Sequence, residues 1–227
     1  MDVISWQPFW SMRDGLRGHY PTLPVGVSRC EVAVRGGGIS VALVAHELTR
    51  RGRDVLLLER DDLAAGSTSG STALLQYEID VSLLKLTKLR GAEAAARAYL
   101  SSCASIDRLE RLSRRLGTAT EFHRARSVYL ASRPSHVRQL RRESNARRDL
   151  GLNVADWHGT ELRRKWGCHA PGAIVSPQAA QMDPYRFTHR LMEECVRRGA
   201  RVFDRTKAGT FREHRGGVEM GGADEPF

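Results

Sequence analysis

Gly36, Gly37 and Gly38 stand in a row between an apolar run, Val32-Ala-Val, and a stretch free of Gly and Pro from Ile39 to Arg51. An acidic residue, Glu59, follows Gly36 by 23 positions. Glycines so placed let a backbone turn tightly and come close to a pyrophosphate, whose charge is stabilised by the unpaired N–H groups at a helix start. Gly36 would make the turn, Gly38 would allow the close approach, and Gly37 and Ile39 would complete the cradle. Glu59 would accept hydrogen bonds from ribose hydroxyls, and its charge would repel a 2′-phosphate, which disfavours NADP. The chemistry on offer is dinucleotide binding. The plain alternative is a structural glycine turn with Glu59 merely exposed.

Such residues work only if the flanking elements hold them. Glu31-Val-Ala-Val-Arg35 reads as a short buried strand and Asp54-Val-Leu-Leu-Leu-Glu59 as another, both apolar runs bounded by turn residues. The Ala- and Leu-rich stretch between them reads as a helix that stops at Gly52. Strand, glycine turn, helix and strand make a βαβ unit of 28 residues, Val32 to Glu59, which is the context that gives the glycine pattern its meaning. Downstream, 61–80 reads as a Gly/Ser/Thr-rich loop and Ala92 to Leu116 as a helix ended by Gly117. Phe122 to Ser132 is strand-like in its second half, and Pro134 to Leu150 and Thr160 to Trp166 read as helices. Gly172 to Met182 reads as strand and turn. Asp183-Pro184 has the form of an N-cap and first turn, leading a helix to Gly199 and a strand over Ala200 to Phe203. Residues 1–29, with Trp6, Phe9, Trp10 and Tyr20, read as an extended arm.

Composition narrows the classes. Hydrophobic residues are 41% and charged residues 27%, which fits a folded chain with a core and argues against wholesale disorder. No apolar run is long enough to span a bilayer, and no secretory pattern opens the sequence. The four cysteines, Cys30, Cys103, Cys168 and Cys195, are widely spaced, which fits reduced thiols in the cytoplasm and no metal site. The net charge of +10 comes largely from arginines on helical stretches, among them Arg138, Arg141, Arg142, Arg147 and Arg148. They are interleaved with Glu110, Glu143 and Asp149 and lack an aromatic platform, so they read as a solvated basic face rather than a specific nucleic-acid surface.

Several segments together resemble the FAD-dependent oxidoreductases of the D-amino-acid-oxidase (DAO) superfamily. They are Val32-Ala-Val-x-Gly-Gly-Gly-Ile, Leu48-Thr-Arg-Arg-Gly52, Val55-Leu-Leu-Leu-Glu-Arg60 and Gly66-Ser-Thr-Ser. Gln181-Met-Asp-Pro-Tyr-Arg186, leading into Arg197-Arg-Gly-Ala-Arg-Val202, adds to them. The resemblance covers roughly 30–210. It implies an α/β fold: a Rossmann-like, glutathione-reductase-like FAD-binding βαβ domain interleaved with a partial α+β substrate domain. The implied division is an N-terminal arm (1–29), the FAD-binding unit with its phosphate and flavin loop (30–80), and a helical segment with the partial substrate domain (81–182). A return helix and strand of the FAD domain (183–212) and a polar tail (213–227) follow. On this resemblance Glu59 and Arg60 flank the adenosine, Ser67, Thr68 and Ser69 approach the pyrophosphate and flavin side, and Ala208 lies near the adenine. The implied reaction is oxidation of a C–N bond in a small amine or amino acid, with hydride passing to the flavin. Neither His nor Cys occurs between Asp61 and Gln76, so the FAD would be held without a covalent bond in that loop.

Three features depart from the family pattern. Val41 stands where a small residue is wanted for close helix–strand packing, and a valine there would overpack. Arg35 places a charge at the end of a strand expected to be buried. The chain stops at Phe227, where the family continues for well over a hundred residues, so the expectation is a truncated chain, inactive or completed by another chain or by a homo-oligomer. No catalytic residue is assigned; His123, Tyr129 and Arg133 read as exposed polar groups. The alternatives are an NAD-linked Rossmann protein and a non-catalytic basic binding module.

Overall fold

A computed structural model of the chain describes residues 8–24, 26, 28–117 and 120–222. Trp6 and the last residues of the expected polar tail lie outside the described residues. The chain divides into two compact units, one built from the residues up to Thr72 and from Asp183 onward, the other from Ala73–Met182.

The first unit holds the βαβ unit. Strands β1 (Val32–Arg35) and β2 (Val55–Leu58) pair in parallel, with Val32 opposite Val55 and Arg35 opposite Leu58, and helix α2 (Ile39–Arg50) joins them. Apolar β-branched and leucine side chains make β2 the middle strand. All four of its residues are buried, and β7 (Arg201–Phe203) pairs in parallel on its other side. Helix α7 (Pro184–Arg197) packs on α2, and it starts where the sequence places its cap: the Asp183 carboxylate accepts the Arg186 N–H at 2.8 Å. Strand β1 is not the buried strand expected, for Ala33 and Arg35 are exposed on an edge strand. Arg35 therefore carries no burial penalty, and its guanidinium lies 5.7 Å over the ring of Phe211.

Two segments differ from the sequence reading, each too short to carry a clear periodicity. Phe9–Asp14, read as extended, is a short helix, α1. Part of the segment read as a polar tail is structured: β8 (Ala208–His214) and β9 (Gly217–Gly222) form an antiparallel hairpin, with Gly217 at φ +149° at its turn. Ala208 and Met220 of this hairpin pack with Leu56, Leu58, Phe203, Leu23 and Cys30. That apolar contact is what a tail would lack.

In the second unit the ten-residue strand β6 (Gly172–Gln181) is the spine. β4 (His123–Leu130) runs antiparallel along one side, while β3 (Leu74–Gln76) and β5 (Ala155–His158) pair with opposite ends of the other. β3, β5 and helix α3 (Leu83–Arg90) are short elements whose few residues carry little periodicity. Helix α4 (Ala92–Leu116) buries Tyr99, Ile106 and Leu116, the face its spacing implies, while Leu109 is half-buried. After a 3-10 turn at Pro134–His136 comes α5 (Val137–Asp149), and α6 (Gly159–Trp166) lays Leu162 on Ala173 and Val175. Arg147, expected on the solvated basic face, is instead fully buried. Its Nε bonds Glu143 at 3.0 Å, its Nη1 reaches Tyr77 Oη and Glu78 at 3.2 Å, and its carbon lies 5.6 Å from the Tyr77 and Tyr99 ring centres. Glu143 in turn accepts the amides of Leu83 at 2.7 Å and Leu84 at 3.0 Å, capping α3 from another helix.

Candidate functional site

The turn between β1 and α2 has the geometry its glycines permit. Gly36 sits at φ +106°, a conformation that disfavours a side chain, and its N–H bonds Leu58 O at 2.8 Å, tying the turn to β2. Gly37 is held tighter by packing: a Cβ there would stand 2.3 Å from Leu63 Cδ2 and 3.1 Å from Glu59 Oε2. Gly38 is the N-cap of α2, with a Cβ site 3.2 Å from the Thr68 hydroxyl. Val41 Cγ2 lies 3.4 Å from where a Cβ on Gly36 would stand, so it bounds the turn on that side.

Two side chains from distant loops close on this turn. Glu59 Oε2 accepts the Gly37 N–H, and Oε1 accepts the Asp61 N–H at 2.9 Å. The Thr68 hydroxyl accepts the Ile39 N–H at 3.0 Å and so satisfies one first-turn donor of α2. Glu59 is itself fixed by its backbone, its N–H bonding Phe203 O at 2.9 Å and its carbonyl accepting the Thr206 N–H at 2.7 Å. The amides of Gly38, Ser40 and Val41 carry no hydrogen bond among the described residues, which leaves three N–H donors and the positive end of a twelve-residue helix beside a surface with no side chains on Gly37 and Gly38. The chemistry this offers is reception of an anionic group on backbone donors, with a carboxylate alongside.

The expected residues do not all gather here. Gly36, Gly37, Gly38, Ile39, Glu59 and Thr68 form one contiguous constellation. Ser67 is exposed, and Ser69 is fully buried, its hydroxyl turned back on its own loop to Ala65 O at 2.8 Å and Gly66 O at 2.7 Å. Arg60 is exposed and paired with Asp61 at 2.9 Å. Ala208 is buried against Leu56 and Leu58 on the flank of β2. Sequence reasoning missed Leu63, which shapes the turn from inside, and Ala64, whose N–H bonds Gly37 O at 3.1 Å from a backbone at φ +61°. A loop without periodicity gives no signal for contacts of that kind. His123, Tyr129 and Arg133 are exposed on β4 or just beyond it. Among the described residues no group of His, Cys, Asp and Glu could hold a metal ion, and no helix is long and apolar enough to cross a membrane.

The solved glycine oxidase of Geobacillus kaustophilus is similar with a TM-score of 0.71 at 22% identity, over 86% of this chain and 51% of that one. Dithionite-reduced L-alpha-glycerophosphate oxidase of Mycoplasma pneumoniae, solved with FAD bound, is similar with a TM-score of 0.71 at 15% identity, over 88% of this chain and 51% of that one. Rat mitochondrial dimethylglycine dehydrogenase is 29% identical over 143 residues, which are 62% of this chain and 14% of the relative. The chain thus spans about half the length of these two solved neighbours and a smaller share of the rat protein. The structural likenesses establish the fold, that of FAD-dependent oxidoreductases, and the model of one family matches residues 31–225, most of the sequence. The chain belongs to the DAO family of FAD-dependent oxidoreductases.

Proposed function

We propose that this chain binds FAD non-covalently at the β1–α2 turn, as the cofactor-holding part of a cytoplasmic oxidoreductase acting on the C–N bond of a small amine or amino acid. The observation that carries the reading is the closure of Glu59 on the amide of Gly37, which puts a carboxylate beside unpaired first-turn amides. The residues fit the group: the unpaired amides of Gly38, Ser40 and Val41 at the helix start offer neutral donors and the positive end of the helix dipole to a pyrophosphate. Ser40 and Val41 amides would hold its phosphates, and Glu59 would receive the ribose hydroxyls in place of the Gly37 amide. Thr68, which shares the helix start, would orient the phosphates through Ile39, with Ser67 and Ser69 lining the same loop. Arg60 and Ala208 would lie toward the adenosine and adenine.

When bound, FAD supplies the hydride acceptor for the oxidation. The chain's own residues bind and orient; no side chain among them is assigned a proton or a substrate bond. Since the chain spans about half of its solved neighbours, catalytic turnover would need residues of the remaining half, on the same polypeptide or on a companion chain. The small-molecule substrate reading rests on the family and on relatives whose names are those of glycine and dimethylglycine enzymes. Titration of the purified chain with FAD, NAD and NADP by fluorescence quenching or calorimetry tests the assignment. FAD should bind most tightly, and Glu59→Ala should weaken it by about tenfold or more, as loss of a charged hydrogen-bond partner implies. Preference for NADP, or an unweakened Glu59→Ala, would overturn it. These 227 residues alone should show no dye-reducing turnover with amines or amino acids, and supplying the half that only the solved neighbours contain should create it.

A further inference from the structure

We propose that the N-terminal segment 8–24 is a positioning strap that grips both loops of the nucleotide cradle, with Trp10 the residue that sets the loop carrying Thr68. The proposal rests on the cofactor reading above. At one end of the strap, the Trp10 backbone N–H bonds Ser69 O at 3.3 Å and its indole Nε1–H bonds Ser71 O at 2.8 Å. These carbonyls follow Thr68, whose hydroxyl receives the Ile39 amide at the helix start. At the other end, Asp204 N–H bonds Pro21 O at 3.2 Å, Arg205 Nη2 bonds Tyr20 O at 2.8 Å, and Leu23 N–H bonds the Thr206 hydroxyl at 3.0 Å. This second loop is the one whose Thr206 amide holds the carbonyl of Glu59, and whose Arg205 amide holds Asp61 O at 3.1 Å.

Between its two grips the strap is pinned to the start of α7. Arg186 Nη2 meets Asp14 Oδ1 at 2.6 Å, Arg13 pairs with the buried Asp183, and the Tyr185 hydroxyl bonds Gly15 O at 3.0 Å. Asp183 and the Asp14 carboxylate are both nearly fully buried, so the pins are sheltered from solvent. The segment has one six-residue helix with no buried residue, so these grips and pins are what fix its course past the loops. The second loop meets the first at its Asp61 end, through the Arg205 N–H at 3.1 Å and the Arg205–Asp62 pair at 3.4 Å, whereas among the described residues the strap is what joins it to the Ser69–Ser71 end, about 135 residues away in sequence. Order imposed before binding removes part of the entropy a ligand would otherwise have to remove.

The experiment compares the parent with Trp10→Phe, which deletes the indole donor and keeps an aromatic ring, with Thr206→Val, which deletes the acceptor at the other grip, and with Met12→Ala on the exposed side of the strap. Hydrogen exchange and FAD affinity are read on each. Trp10→Phe should speed exchange locally over 66–72 and weaken FAD by about three- to tenfold, the loss of one hydrogen bond. Thr206→Val should do the same over 204–206, and Met12→Ala should change neither. Unchanged exchange and affinity in both grip variants would overturn the strap, and so would faster exchange spread evenly over the first unit. If Trp10→Phe fails to fold, Thr206→Val decides by the same two readings. Failure of the parent to bind FAD would sink the cofactor reading alone, since the exchange patterns report on the strap without any ligand.

Discussion

At the scale of single residues, the turn discriminates between its glycines. A Cβ at Gly37 would force Leu63 to shift and crowd Glu59, whereas Gly66 in the following loop has open space at its Cβ site and no positive φ. Gly37→Ala should therefore destabilise the chain by about 1–3 kcal/mol, the usual cost of forcing atoms into a packed site, and weaken FAD as well. Gly66→Ala should stay within about 0.5 kcal/mol of the parent. Thermal unfolding of the two variants checks the pair, and equal effects would show that Leu63 yields freely. The same geometry removes one concern that the amino-acid types raise. Arg35 lies exposed over Phe211, so Arg35→Ile should bring no gain in FAD affinity.

At the scale of elements, two helices depend on groups that are not their own. Helix α3 is capped by Ser82 and by Glu143 of α5, and Glu143 is held in place by Arg147. Burial disfavours the Arg147 charge, and Tyr77 and Glu143 more than offset it, raising its pKa. Arg147→Ala removes one partner of a buried ion pair and should cost about 3–5 kcal/mol, measured by chemical denaturation, with loss of amide protection at Leu83 and Leu84. Helix α7 buries His189, whose ring meets Tyr185 edge-on at 4.6 Å. Burial, with the nearby Arg17 charge, lowers its pKa from 6.5 to about 4. A histidine with a depressed folded pKa contributes stability above its unfolded value that is lost as pH falls. Stability should decline between about 6.5 and 4, and His189→Phe should flatten that part of the profile. Asp14 acts lower on the scale. Burial opposes its charge, but hydrogen bonds and charge from Arg13 and Arg186 outweigh that and hold its pKa at about 2 against an ordinary 3.8. Its contribution should be lost as pH falls from about 4 toward 2, a step that Asp14→Asn should remove.

At the scale of the whole molecule, charge and length have separate consequences. Many exposed arginines are already committed to carboxylates, as in the pairs of Glu47 with Arg50 and Arg51 and of Arg198 with Glu194, while Arg138, Arg141 and Arg142 carry no ion pair among the described residues. Three such charges on one short helix suffice for weak attraction to phosphate backbones. Affinity for duplex DNA should be sequence-independent, of order 10⁻⁴ to 10⁻⁶ M at physiological salt, and should fall steeply as salt rises; a sequence-selective nanomolar complex would contradict it. The βαβ unit, the long α4 and the capped start of α7 could be read from the sequence because each is encoded locally, by a run of apolar residues, a helical period or a cap and its proline. The glycine turn and Glu59 were legible for the same reason, their spacing being a property of one continuous segment. The rest needed the tertiary structure. The burial of Arg147 against Tyr77 and Glu78, and the closing of Leu63, Thr68 and the N-terminal strap on the turn, join residues far apart in sequence, while the inward turn of Ser69 and the hairpin are local but follow no apolar period. Which of those distant groups meet is decided by how the chain folds back on itself to bury apolar side chains, and no local pattern records it.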